Sequence, residues 1–208
     1  MAENNAPRGL VLAKKNGDGS NSTGIRTIDL NVSPKVASAL IPDDIFTGDP
    51  ITVQALGSIK PTGAGANAKS IGVFQGCSFV DANGNQQFKR SYTGGVTATD
   101  VKIHVAADPS QTYFVQADAT VTASAGFGAA PVNGLLIAGT GVAKTGMSGY
   151  TLDASGPVVA QSQVRVIRRA PWDTGTGTSA GVTDAYPWYE VYLNNHYDRF
   201  QSTTVSSS

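Results

Sequence analysis

Residues 70–124, SIGVFQGCSFVDANGNQQFKRSYTGGVTATDVKIHVAADPSQTYFVQADATVTAS, decide the fold: short two-residue alternations are separated by turn signals, with no helical period between them. Ile71, Val73, Cys77 and Phe79 alternate with small or polar residues. Asn83-Gly84 then supplies the positive-φ pair that a tight hairpin requires before Phe88 and Tyr92. Val101, Ile103, Val105 and Ala107 alternate with Lys102, His104 and Ala106, and Asp108-Pro109 opens a turn into Tyr113, Val115 and Ala117. The expectation is two consecutive hairpins with one face buried and the other wet.

Outward from this block the same signals recur. Ile28, Leu30 and Val32 alternate with Thr27, Asp29 and Asn31 until Pro34 interrupts them. Residues 36–41 read as a helical turn or an edge strand, and Ile51, Val53 and Ala55 open another strand after Asp49-Pro50. Beyond a break at 125–133, four more strands are expected at 135–137, 149–152, 164–167 and 189–193. The fold class is therefore all-β, a sandwich or barrel of about ten short antiparallel strands. Residues 1–24 read as an extended N-terminal arm, 25–200 as a β-rich domain with a candidate subdomain break near 126–133, and 201–208 as a flexible polar tail.

Composition agrees. The 208 residues include 20 Val against 9 Leu, and only two Glu (Glu3 and Glu190) against 13 Asp, which favours β-branched strand formers and removes a main helix former. With 24 Gly, 18 Ser and 20 Thr beside a 40% hydrophobic content, the chain is rich in turns yet able to fold. Fifteen basic and fifteen acidic residues give a formal net charge of zero, a poor balance for binding nucleic acid, which requires clustered positive charge. Cys77 is the sole cysteine, so no intrachain disulfide is expected. The first twenty residues lack the apolar core of a secretion signal, and no apolar run approaches the ~20 residues that cross a bilayer, so a cytoplasmic product without membrane contact is expected.

Tests for chemistry fail on spacing. In Gly139-Thr140-Gly141-Val142-Ala143-Lys144-Thr145 a phosphate loop would need glycine where Ala138 and Ala143 stand, so a hairpin or loop is expected. Asp81-Ala82-Asn83-Gly84-Asn85 begins like a calcium loop, but Tyr92 stands where the cage needs glutamate, and a hairpin turn explains the same residues. Two histidines, His104 and His196, and one cysteine do not make a typical structural zinc site. There is no G-x-S-x-G elbow, and Asp43, Asp49, Asp81, Asp108, Asp173 and Asp184 all stand in turn-forming contexts. No catalytic residue, metal or cofactor is expected, and a hydrolase with unrecognised paired carboxylates is the remote alternative.

The residues left over are those of contact surfaces. Arg8, Lys14 and Lys15 make the arm basic, and Leu10-Val11-Leu12 forms an apolar hook that would order against a neighbouring subunit. Near the C terminus, Trp172 follows Arg168-Arg169-Ala170-Pro171, and Trp188 lies in Tyr186-Pro187-Trp188-Tyr189; exposed Trp, Tyr and Arg make interface hot spots. The candidate capsid or subunit contacts are accordingly Arg8, Leu10, Leu12, Lys14, Lys15, Arg168, Arg169 and Trp172.

The runs GVFQGCSFVDANGN (72–85), ATDVKIHVAADPSQTYFVQADAT (98–120), TGMSGYTLD (145–153) and EVYLNNH (190–196) resemble capsid decoration (cement) proteins of tailed double-stranded DNA bacteriophages. The resemblance spans roughly residues 51–196 and carries no active site. It implies a β-rich module on the outer surface of the phage head, made in the host cytoplasm, that binds the major capsid protein and stabilises its lattice. It also implies a homo-oligomer, most readily a trimer, with no nucleic acid or membrane partner. A head-fibre or adhesin-like module that binds host-surface glycans through the Trp172 and Trp188 region is the alternative.

Overall fold

The computed structural model describes residues 5–15, 25–30, 41–54, 58–63, 65, 68–122, 127, 131–158, 162–173 and 183–198. Among the described residues there is no helix and there are seventeen strands, more than the ten or so expected because several are only two residues long. They are β1 (Val11–Lys15), β2 (Ile25–Leu30), β3 (Ile45–Phe46), β4 (Pro50–Val53), β5 (Ile59–Pro61), β6 (Gly72–Asp81), β7 (Gln86–Lys89), β8 (Ser91–Tyr92), β9 (Ala98–Ala106), β10 (Gln111–Gln116), β11 (Val121–Thr122), β12 (Val132–Gly134), β13 (Leu136–Ile137), β14 (Thr151–Leu152), β15 (Val164–Arg169), β16 (Thr183–Asp184) and β17 (Trp188–Leu193).

Two antiparallel sheets carry the fold. One has the strand order β1-β10-β17-β15-β12; the other runs β2-β9-β6-β4-β5, with β7 also paired to β6. Three two-stranded pairs, β3 with β8, β11 with β16 and β13 with β14, complete the ladder set. Strands from both sides of the 126–133 break share the five-stranded sheet, since β10 lies beside β17 and β12 beside β15. Expected elements at 31–40 lie outside the described residues.

The apolar alternation of β9 and β10 is observed, but the expected second hairpin is not. β9 pairs with β2 and β6, and β10 with β1 and β17, so the turn at 107–110 carries the chain from one sheet to the other. Nor is the far face of β10 wet, since Thr112 and Gln116 are buried. Val101, Ile103 and Val105 are buried in one core while Lys102 is exposed, and Tyr113, Val115 and Ala117 are buried in the other. In β6 the pattern differs from the expectation. Val73 joins the core of the five-stranded sheet, whereas Phe74, Cys77 and Phe79 face the second core. The ladder explains the flip: Phe74 pairs with Val105 and Gly76 with His104, so Gln75 is one residue extra on β6. Gly76 takes φ 142°, a conformation L side chains rarely adopt, and the bulge reverses the facing of every later residue. A second bulge places the extra residue on β9, where Asp100 at φ 50° absorbs it between the Ser78–Lys102 and Val80–Thr99 pairs. Val73 and Ala106, opposite each other in the ladder, thus lie in the first core, and the Tyr113 hydroxyl donates to the Ala106 carbonyl at 3.0 Å, tying the sheets together.

Loops between the sheets are buried because their polar groups are paired. The Gln163 amide donates to the Gly63 carbonyl at 2.8 Å and its oxygen accepts from the Leu136 amide at 3.1 Å. The Tyr150 hydroxyl donates to the Thr62 carbonyl, and the amide of Ser70 donates to the Asn195 carbonyl at 2.9 Å. His196, 1% exposed, accepts the Asp198 amide at Nδ1, so this histidine orders the C-terminal end of the sheet.

The N-terminal segment joins the same chain's fold. Leu10, 1% exposed, lies in the first core, and β1 pairs antiparallel with β10. Entry into β1 depends on Gly9: at φ 66°, a Cβ there would fall 2.4 Å from Ser148 Cβ and 2.5 Å from the Gly48 carbonyl oxygen. Gly48 in turn donates to the Phe74 carbonyl and accepts the Leu10 amide. Within this junction Asp49 is 3% exposed, and its carboxylate accepts the Phe46 amide at 2.8 Å.

Burial raises the Asp49 carboxyl from 3.8 to about 6, against the opposing hydrogen bonds of Ser148 and the Phe46 amide. Between pH ~4 and ~6 the folded chain therefore holds a proton that the unfolded chain has lost, and stability falls as pH rises through that window, by at most about 3 kcal/mol. The Asp49→Asn variant, which keeps an acceptor for Phe46, should flatten this slope and be the more stable protein at pH 8. Urea titrations at pH 4, 6 and 8 measure it; an unchanged slope in the variant refutes the assignment.

Candidate functional site

The outward face of the five-stranded sheet follows from its register. Val11, Phe114, Glu190 and Arg168 stand in one row across β1, β10, β17 and β15. A bulge at Ile167 sets the last of these pairings, because Val166 pairs with Val191 but Arg168 with Glu190. Their sheet neighbours Tyr113, Tyr189, Val191 and Val166 point inward to the first core. Val11, at 37% exposure, borders the row at the sheet edge.

Arg168 and Glu190 are joined through Nε and Oε2 at 2.6 Å, with side-chain exposures of 54% and 5%. The carboxylate is thus nearly dry while part of the guanidinium remains open to solvent. Arg169 is directed elsewhere: its Nη2 donates to Asp173 Oδ1 at 2.5 Å, and Asp173 Oδ2 accepts the Trp188 amide at 2.6 Å. With the Ala170 amide donating to the Trp188 carbonyl at 2.8 Å, this closes the turn 170–173 onto β17. The turn delivers Trp172 to the surface, 56% exposed, with its ring edge-on to Phe114 at 4.1 Å between centroids and 65° between planes. Trp188, by contrast, is half-buried. Tyr186 approaches Pro187 at φ 54° and is held by the Gln116 amide, which donates to its carbonyl at 3.1 Å.

The candidate contacts separate into three groups. Arg168 and Trp172 share this face, while Arg169 supports the turn that presents it. Arg8 is exposed and Leu12 half-buried against the first core, but Leu10 is enclosed by its own chain and offers no surface to a partner. Lys14 and Lys15 end β1, and their side chains lie outside the described residues, as does the glycine- and threonine-rich stretch 174–182. Phe114 carries no local signal of a contact residue, and Val11 reads as part of the apolar hook, because only strand pairing brings the two into one row on the Trp172 face.

The motifs tested for chemistry resolve as structure. The Asp81 carboxylate accepts the amides of Asn83 and Asn85 at 2.9 Å each and the Gln87 side-chain amide, closing the β6–β7 turn with Gly84 at φ 84°. The Asn85 amide bond is the largest influence holding that carboxyl below its ordinary value. Residues 142–147 form a hairpin, with the Val142 amide donating to the Met147 carbonyl and the Gly146 amide to Val142. Cys77 is 3% exposed, and burial pushes its thiol up to about 11, outweighing the nearby charge of Lys89.

Two outcomes follow. Arg168→Ala strands a nearly buried carboxylate and should destabilise the fold by about 1–2 kcal/mol, a cost that Glu190→Gln in the same chain largely removes; an additive double-mutant cycle refutes the coupling. At pH 8 the Cys77 thiol should react with a disulfide reagent at least ~100-fold more slowly in the folded than in the denatured chain, and equal rates refute its burial.

Comparison of the chain with family models, curated proteins and solved structures returned no match.

Proposed function

We propose that this chain is a structural virion protein that binds the outer surface of a phage head and stabilises the major capsid protein lattice. The observation that carries this reading is the outward face of the five-stranded sheet: an exposed Trp172 braced on Phe114, beside the half-open Arg168 guanidinium and the exposed Val11. An aromatic anchor with an arginine at its side is the composition of an interface hot spot. The anchor is rigid before contact, because the Arg169–Asp173 pair and the Trp188 amide fix the turn that carries it, and little ordering entropy is lost on binding.

The phrases that resemble decoration proteins support the same reading. They supply β6 and its turn, β9 and β10, the 145–153 segment and most of β17, which together build both sheets and the connection between them. On this reading the chain acts without an active site, metal or cofactor, and its effect is additive: modest contacts repeated over a closed shell reinforce one another through multivalency. Among the described residues β1 is the edge of its sheet and pairs there with β10 alone, which favours a homo-oligomer, with a trimer the arrangement proposed. The protein is made in the host cytoplasm and resides on the capsid exterior.

Glycan binding is the competing reading, favoured by the same exposed Trp172 ring as a stacking platform. The deciding experiment mixes purified protein with expanded heads assembled from the major capsid protein, then follows co-sedimentation and the heat disruption of the shells. Saturable binding that raises the disruption temperature, and that Trp172→Ala weakens, is the expected outcome. No binding to intact heads, with a positive glycan array, overturns the proposal in favour of the second reading.

A further inference from the structure

A separate surface lies on the six-stranded sheet, where β7 and the 142–147 hairpin enclose a groove of about 450 Å³. We propose that this groove docks an extended acidic segment of a partner protein, laid along β7 as an added strand. Three observations favour this occupant.

The first is an open edge. Among the described residues β7 pairs only with β6, through Cys77–Lys89, Ser78–Phe88, Phe79–Gln87 and Val80–Gln86, so it is an edge of the sheet there, and its Phe88 and Lys89 line the groove. Such an edge is a template for an incoming strand. The second is charge. Lys89, Arg90 and Lys144 line the groove against the single carboxylate of Asp44, one oxygen of which already accepts the Gly94 amide at 2.8 Å. Arginine and lysine suit carboxylates. The third is Phe88, 78% exposed at the groove's rim. Charges alone at an edge serve to repel other strands, but an aromatic ring left in water on the same edge works against that purpose and provides an apolar contact for an occupant.

The opposite wall is already formed. The Gly146 carbonyl accepts the Thr47 amide at 2.9 Å, and a Cβ on Gly146 would lie 2.8 Å from Arg90 Cβ, so the hairpin sits directly against the end of β7. Docking therefore needs no rearrangement of the walls. Single-stranded nucleic acid, the other anionic class, fits less well: three cations opposed by an acid are few for a phosphate chain, and a base ladder makes no use of an open strand edge.

The test uses the full chain and three fluorescein-labelled probes: an eight-residue peptide of alternating threonine and aspartate, its threonine and asparagine counterpart, and an eight-residue oligo-dT. Anisotropy should show saturable binding of the acidic peptide, at least ~10-fold tighter than the neutral one and weakened by salt. Arg90→Ala and Lys144→Ala should each weaken it by about fivefold, and Phe88→Ser should weaken it further, while Lys69→Ala, an exposed cation outside the groove, leaves it unchanged. All these positions but Lys69 line the groove, and thermal melts verify that each variant folds. Hydrogen exchange should slow at the amides of 86–89 when the acidic peptide is bound. Equal binding of the two peptides, tighter binding of oligo-dT, or protection confined to other strands overturns the proposal. The groove residues are distinct from those around Trp172, so head binding and peptide binding fail or succeed independently.

Discussion

One extra residue in β6 governs how this chain makes two cores from one sheet. Without the bulge at Gln75-Gly76, strict alternation would put Val73, Cys77 and Phe79 on a common face. With it, Val73 faces the five-stranded sheet beside Ala106, while Phe74, Cys77 and Phe79 fill the second core with Ile51, Ile103 and Val105. The central strands β6 and β9 of the six-stranded sheet are thus dry on one side, and their other side is closed by apolar contact at the end where Val73 and Ala106 meet the first core. At the far end the second side carries Lys102 and the half-buried His104, whose Nδ1 lies 3.2 Å from Thr27 Oγ1.

Burying connections between sheets demands that their main-chain groups be paired, and much of the polar interior exists for that purpose. Gln163 bridges Leu136 to Gly63, Ser70 bridges the C-terminal segment, and Gly48 links the N-terminal strand to β6. The Asp49 carboxylate belongs to the same set. Its charge is tolerated through two hydrogen bonds and is nevertheless costly, which is why its carboxyl rises toward neutrality. Glycine is required where these segments cross closely, most clearly at Gly9, which has both a left-handed φ and a neighbour on each side.

The two surfaces proposed for contact use opposite logic. Around Trp172 the cations are matched: Arg168 by Glu190 and Arg169 by Asp173. The remaining attraction is aromatic and shape-driven. Beside β7 positive charge is in excess of negative, and the exposed phenyl ring of Phe88 adds an apolar contact. A formal net charge of zero conceals this division, because the sum over the chain says nothing about where the unmatched charges gather.

Local signals in the chain were enough to determine the all-β class, the positions of β9 and β10, and the turns at Asp81–Asn85 and 142–147. These depend on neighbours one to four residues away: side-chain alternation, positive-φ glycine, and aspartate capping of nearby amides. Arg168 and Trp172 were also legible as surface candidates, since Pro171 and the flanking arginines mark an exposed turn. Tertiary structure alone decided the rest. Leu10 looked like a free hook until β10 supplied a partner strand and the first core a socket for it. Phe114 and Val11 became part of the Trp172 face through pairings between strands distant in the chain, and the groove at β7 arose because the 142–147 hairpin packs against Arg90. Bulges were the hidden variable: a single added residue changes no composition and little local pattern, yet it exchanges the inside and outside of everything that follows it.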